Sequence, residues 1–339
     1  MVWIRALTLA AVLGTALSPL FAQPGAGPDP VDLAAAKREA TVTWYTSTPV
    51  ETAQKIAKLF EAETGVRVQL FRSGGSAILR RFLQEVDAGK LAADVVTISD
   101  PAAAGMLIKR GLLTPFRPKH FDKIPAEVKD PQGYHIAQRL NLVGMAARTD
   151  RGLELPKNWT DLTEPRYRDK LVMSDPSFTA LQLMTVGTLS RKYGWGYYER
   201  LRANNVMIVQ GHQQVSETLK RGERLVAAEG LDSYTWKERE AGHKMQTLFP
   251  TDGAFAIPAP TFVIKGAPHP HAAKALAEFM IGDTVQGLFP GEGIYAARSD
   301  IPPPPGNPRL AEIKLLPVDY DAIEKEAAAL KKRFNEIFQ

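Results

Sequence analysis

The chain has 339 residues, 45% of them hydrophobic and 23% charged, a globular balance long enough for two buried cores. It contains no cysteine, which excludes disulfides, thiolate metal sites, iron–sulfur clusters and a cysteine nucleophile. The formal charge of +5 is small for this length and forms no basic block, so nothing points to nucleic acid as a partner.

In chain order, Arg5 is the one charge before residues 6–20, an uncharged apolar run too short to span a bilayer comfortably. Leu20-Phe21-Ala22 then places a small residue at a cleavage point, and residues 23–29 are rich in proline and glycine. Residues 1–22 read as a signal peptide of an exported protein that does not otherwise span the membrane.

From Thr41 short apolar strands alternate with amphipathic helices. Residues 41–45 predict a strand, and Thr48-Pro49-Val50-Glu51 has the spacing of a capping box opening a helix. Ala53, Ile56, Ala57 and Phe60 continue at helical spacing until Gly65. Val66, Val68 and Leu70 alternate as a second strand running into Arg72-Ser73-Gly74-Gly75-Ser76, and a helix follows. A third strand, residues 94–98, ends at Ser99-Asp100-Pro101. Three such units predict an α/β fold with parallel strands and helices on the sheet faces.

Two long extended stretches, residues 134–147 and 253–264, read as crossings between lobes; Pro258 and Pro260 in the second suit an edge or connecting strand. Between them lies a second β/α run, with strands near 170–173, 206–209 and 225–228 and helices near 178–192, 195–203 and 214–220. A helix at about 321–338 closes the chain. The reading is two lobes with a hinge: residues 30–145 and 262–339 form one, and residues 146–261 form the inserted other.

Several segments together resemble a known family: the opening strand with Trp44 to Pro49, Phe60 to Val68 running into the Ser73–Ser76 loop, and Ala93 to Asp100. Residues 158–177 and 249–280 extend the likeness over nearly the whole mature chain. The chain resembles the extracellular solute-binding proteins of ABC importers, with the type II periplasmic binding fold, in the ferric-iron, hexose-phosphate and phosphonate branch. The resemblance implies a monomer in the periplasm that closes two parallel-dominated lobes around a solute and docks on an inner-membrane permease.

The residues themselves suit an anion. Thr46, Ser47 and Thr48 bring hydroxyls to a helix start, where free N–H groups and the dipole favour negative charge. Ser73, Gly74, Gly75 and Ser76 repeat the arrangement, and Ser99 and Asp100 end the third strand, although each hydroxyl could equally be a plain cap. Arg72 and Arg139 are the candidate forks for a phosphate or carboxylate, with a solvent-facing alternative for Arg72. By resemblance, Ser177 and Thr179 at a facing helix start would hold a phosphate. His212 and Gln213 open another helix, while Asp232 and Tyr234 follow the next strand.

The ferric branch typically carries two adjacent tyrosines where this chain reads Ser233-Tyr234-Thr235, and it offers a His or Tyr after the first strand where this chain has Thr46 to Pro49. No metal ligand set and no cofactor is therefore read. Enzyme signatures are missing too: there is no HExxH helix, no phosphate loop with GK[ST] and no GxSxG elbow. The expected ligand is an organic phosphate, phosphonate or sugar phosphate; ferric iron held through Tyr234 with an accessory anion, or an exported hydrolase using the cleft, are the alternatives.

Overall fold

The computed structural model describes residues 27–339; the expected signal peptide, residues 1–22, lies outside them. A short helix α1 (Leu33–Glu39) leads into β1 (Thr41–Thr46), α2 (Val50–Thr64), β2 (Arg67–Arg72), α3 (Gly75–Asp87), β3 (Val95–Thr97) and α4 (Ala103–Lys109). Strand β1 lies between β2 and β3, parallel to both. The helices dictate this layering: α2 buries Ala53, Ile56 and Phe60 on one stripe and α3 buries Ile78 and Phe82, and each stripe needs a sheet to cover. Gly65 stops α2 at φ +73°, a left-handed conformation natural to glycine. The capping box at Thr48 does not form. Pro49 is the cap without a side-chain bond, and Thr48 turns inward instead.

The long strand β4 (Ile136–Arg148) begins the crossing. Beyond it come β5 (Leu171–Ser174), α5 (Ala180–Tyr193), α6 (Gly196–Ala203), β6 (Met207–Val209), α7 (His212–Arg221), β7 (Val226–Leu231), α8 (Asp232–Glu240) and β8 (Met245–Leu248). The return strand β9 (Phe255–Val263) precedes α9 (Pro270–Ile281), α10 (Asp283–Leu288), β10 (Tyr295–Ala296) and α11 (Tyr320–Phe338). Strand order is β2-β1-β3-β9-β4-β7-β5-β6, with β8 and β10 also paired to β4. Each outer triplet is parallel, whereas β9 and β4 run antiparallel to each other and to the triplet each one carries. The sheet is thus mixed, and the β4–β9 ribbon is what joins the two lobes.

Pro260 offers its carbonyl to the Ile98 N–H at 3.2 Å, on the β3 side of β9. Pro258, two residues away, faces the same side, so the ladder to β4 loses no donor.

One large core gathers Trp44, Phe60, Leu276 and Phe279 around β1, α2 and α9. Another gathers Trp159, Tyr167, Met184, Tyr198 and Phe255 across the ribbon. The closing helix α11 belongs with the second, its Ile323, Leu330 and Phe334 packing there against α5 and α6. This departs from the expectation that residues 262–339 all return to the first lobe. Helix α5 is buried on most sides and needs cover on its outer side, which the stripe of α11 supplies.

Candidate functional site

Loops leaving the carboxyl ends of all six parallel outer strands converge on one cleft. In open α/β sheets this is where ligands sit, because the strands end there and helix N-termini point inward. Helix α3 starts at Gly74, α5 at Thr179 and α7 at Gly211, and none of these caps spends a side chain on its own helix. The first-turn N–H groups of three helices of ten or more residues are left facing the cleft.

At its floor is Arg139, 1% exposed. One guanidinium nitrogen donates to Thr48 Oγ1 and to Gln138 Oε1, both at 2.9 Å, and the other donates to Ser99 Oγ at 3.2 Å. No carboxylate pairs with it among the described residues. Burial pulls its pKa down to about 9; nearby Arg72 adds to the fall while Tyr234 opposes it. A buried cation without a counter-ion is costly, and a bound anion relieves that cost. A bulge aims the side chain: Ala137 pairs with Pro260 and Arg139 with Ala259, leaving Gln138 unpaired, so adjacent side chains turn to the same polar cluster.

Arg72 lines the cleft rather than facing solvent, its Nε donating to the Thr48 carbonyl at 3.1 Å and its outer nitrogen lying 3.5 Å from the Tyr234 hydroxyl. Asn141 completes the floor, donating to Ser99 Oγ at 3.1 Å and to the Ile257 carbonyl at 2.9 Å. Opposite, His212 Nε2 is bonded to the buried carboxylate of Glu229, whose other oxygen accepts from Ser174 Oγ at 2.9 Å. Among the described residues no Asp or Glu lines the cleft itself. Burial pushes the Tyr234 phenol above its ordinary pKa, although Arg72 and Arg139 pull it back.

Of the residues singled out from sequence, Ser47, Gly74, Gly75, Ser99, Thr179, His212, Gln213 and Tyr234 line this cleft. Thr46 and Thr48 lie beneath it, Thr46 Oγ1 donating to Thr48 Oγ1 at 2.8 Å in the network that holds Arg139. Ser73 and Ser177 fall outside the lining; the Ser177 N–H is held by Asp175 Oδ1 at 2.7 Å in the turn before α5. Ser76 and Asp100 face a different cavity. Asp232 is turned away, accepting from Thr247 and Asn307 at 2.6 Å each, because the segment expected as a loop is helix α8 and its first residue faces the sheet. Sequence reasoning missed Asn141 and Phe178; the first is legible only as a polar residue on an otherwise apolar crossing.

Phe178 reaches across the cleft to the α3 start. A Cβ placed on Gly74 would meet the Phe178 carbonyl oxygen inside van der Waals contact and its ring carbon Cδ1 at 2.7 Å. Ser76 Oγ also crosses, donating to the Pro176 carbonyl at 3.4 Å. Near the rim Lys237 of α8 pairs with Glu292 at 2.8 Å and Glu51 at 3.4 Å, and Glu292 is held from its own side by Thr52 and Lys55. The two walls are drawn together, as in a closed clamp.

Residues 91–326 match the profile of a family described as bacterial extracellular solute-binding protein. A Sinorhizobium fredii protein named as an ABC transporter periplasmic-binding protein is 24% identical over 70% of this chain and 69% of its own length. Among solved structures, the periplasmic binding protein AfuA of Actinobacillus pleuropneumoniae with bound fructose 6-phosphate superposes with a TM-score of 0.80, covering 88% of this chain and 98% of that one at 20% identity. Iron-bound HitA of Pseudomonas aeruginosa gives 0.75, covering 88% and 100% at 19% identity.

Proposed function

The chain belongs to the bacterial extracellular solute-binding proteins, the periplasmic solute-capturing components of ABC transporters, and we propose that its solute is a small anion bearing a phosphate or phosphonate group. The observation that carries this reading is Arg139: a buried guanidinium without a carboxylate partner, at the floor of a cleft to which three helix N-termini point and which no acid lines. A phosphoryl group presents several oxygens at once to the Arg139 and Arg72 forks and to the starts of α3, α5 and α7. Tyr234 and His212 are left to meet the organic part, so a sugar phosphate suits the cleft better than bare phosphate. The sugar phosphate bound in AfuA supports the same choice.

Groups on both walls touch the solute together, so binding favours the closed arrangement by the contacts completed on closure, and a membrane permease recognises that arrangement. The chain acts as a carrier and not as an enzyme, exported to the periplasm by its leader and working as a monomer. The iron reading is less well supported. HitA shares the fold, but Tyr234 is here a single phenol held protonated by burial and facing Arg72.

Titration calorimetry with fructose 6-phosphate, 2-aminoethylphosphonate and inorganic phosphate tests this. Binding by at least one phosphoryl compound is expected, with a loss of about 10–100-fold on Arg139→Ala, the worth of one or two hydrogen bonds to a charged group. Binding of ferric ion alone, or unchanged phosphoryl affinity in Arg139→Ala, would overturn it.

A further inference from the structure

Phe178, the residue before the cap of α5, lines the anion cleft yet adds to no core. Among the described residues it joins none of the apolar clusters, and its side chain stays half-buried. A ring placed so contributes little to folding, which rewards apolar surface taken fully out of water. Two glycines make room for it. A Cβ on Gly74, at the start of α3, would meet the ring at 2.7 Å, and one on Gly211, at the start of α7, would meet it at 3.2 Å. The backbone demands neither glycine, because Gly74 has φ −70° and Gly211 φ −159°, conformations open to any residue. The ring is the steric reason for both, and it fills the gap between two of the three helix starts. Another border of the cleft is different in kind: Pro49, Gln213 and Tyr234 also line a polar hollow between the start of α2, α7 and α8, which Gly74, Phe178 and Gly211 do not line.

We propose that Phe178 is a specificity-determining residue, confining the cleft to solutes whose phosphorus carries one organic group: phosphate monoesters and phosphonates, not diesters. This rests on the phosphoryl reading above. Phosphorus is tetrahedral, so a diester throws its two substituents apart and each needs a way out of the pocket. One leaves past Tyr234 toward the polar hollow. The other is directed at the helix starts, where the ring already stands and where backbone N–H groups need oxygens. A monoester or phosphonate offers three free oxygens there, and the ring keeps water from competing for them. Phe178 comes from the second lobe and Gly74 from the first, so the ring is fully seated only when the walls meet. The unwanted solute is thus refused by a clash at closure, while the right one loses no contact.

Calorimetry of wild type and Phe178→Ala with fructose 6-phosphate and 2-aminoethylphosphonate, each beside its methyl ester on phosphorus, tests it. For a parent that wild type binds, the ester is expected to bind about a hundredfold more weakly, the clash added to the lost oxygen. In Phe178→Ala that penalty is expected to shrink to about tenfold, the share owed to one charge-assisted contact, while the parent itself binds about fivefold more weakly as water enters. Phe178→Leu, which keeps apolar bulk without the reach of the ring, should fall between the two. Both variants are expected to unfold at the urea concentration of wild type, since the ring belongs to no core. An ester that wild type binds as tightly as its parent, an ester penalty equal in wild type and both variants, or a parent bound more tightly by Phe178→Ala would overturn the proposal and leave the phosphoryl reading standing. Wild type that binds neither parent would also overturn it, and if inorganic phosphate fails too, the phosphoryl reading falls with it.

Discussion

Asp100 carries its carboxyl into a place almost closed to water, and burial pushes its pKa up to about 6 from an ordinary 3.8, with Lys331 and the backbone N–H groups of Ala103 and Ala102 pulling the other way. A carboxyl whose folded value lies above its unfolded value holds its proton longer in the native state. Its contribution is favourable below about pH 4 and is lost as the pH rises through about 6, so native stability falls across that interval. Asp100→Asn removes the titration. The variant is expected to gain about 3 kcal/mol on wild type at pH 7.5 and little at pH 4, read from urea unfolding at the two values. Sequence placed Asp100 at a strand end correctly but could not say which of two adjacent cavities it faces. The same limit holds at Arg139: the side chain was nameable, whereas the unpaired Gln138 that aims it is a property of register, and register depends on pairing with a strand more than a hundred residues away.

Helix starts are the element on which the cleft depends, and Gly74 is the one where a single atom decides the outcome. Its φ of −70° and ψ of 150° suit any residue, so alanine brings no backbone strain there. It brings only a methyl group where the Phe178 carbonyl and ring already lie. Gly74→Ala is therefore expected to fold with wild-type stability yet hold the walls apart. Ligand affinity should fall at least tenfold for every solute, and small-angle scattering should show a wider particle that ligand fails to shrink. The helix starts at Gly74, Thr179 and Gly211 were legible as strand-loop-helix junctions with glycine or hydroxyl residues. Helix α8 was not, because Asp232 to Trp236 reads equally well as a polar loop until Trp236 is seen buried and donating to the Pro305 carbonyl at 2.9 Å. The partner of α11 was also hidden: an amphipathic stripe announces that a helix is covered, not by what.

At the scale of the molecule, closure is a balance set partly by groups that need never touch solute. Glu292 is buried, and burial pushes its pKa up, but Lys237 and Lys55 outweigh that and leave it below the ordinary carboxylate value. Lys237 comes from the opposite wall, so its ion pair with Glu292 exists only when the walls meet. Lys237→Ala is expected to weaken all ligands by the same factor, about fivefold for a pair worth about 1 kcal/mol, with Lys237→Arg restoring most of it; titration of two unlike solutes checks the uniformity. The two-lobed plan itself was the most legible feature, since two apolar crossings and two β/α runs leave few other topologies.

The paired prolines of β9 bear on what happens when such a clamp stands open. Strand β3 ends at Thr97, the Ile98 N–H still pairs with the Pro260 carbonyl, and beyond that β9 has no strand partner on this side, a margin on which a foreign strand could add itself once opening uncovers it. The Pro258 ring nitrogen has no hydrogen to offer, so an incoming strand finds a rung missing there. The hinge keeps its full ladder on one side and is made unattractive to neighbours on the other.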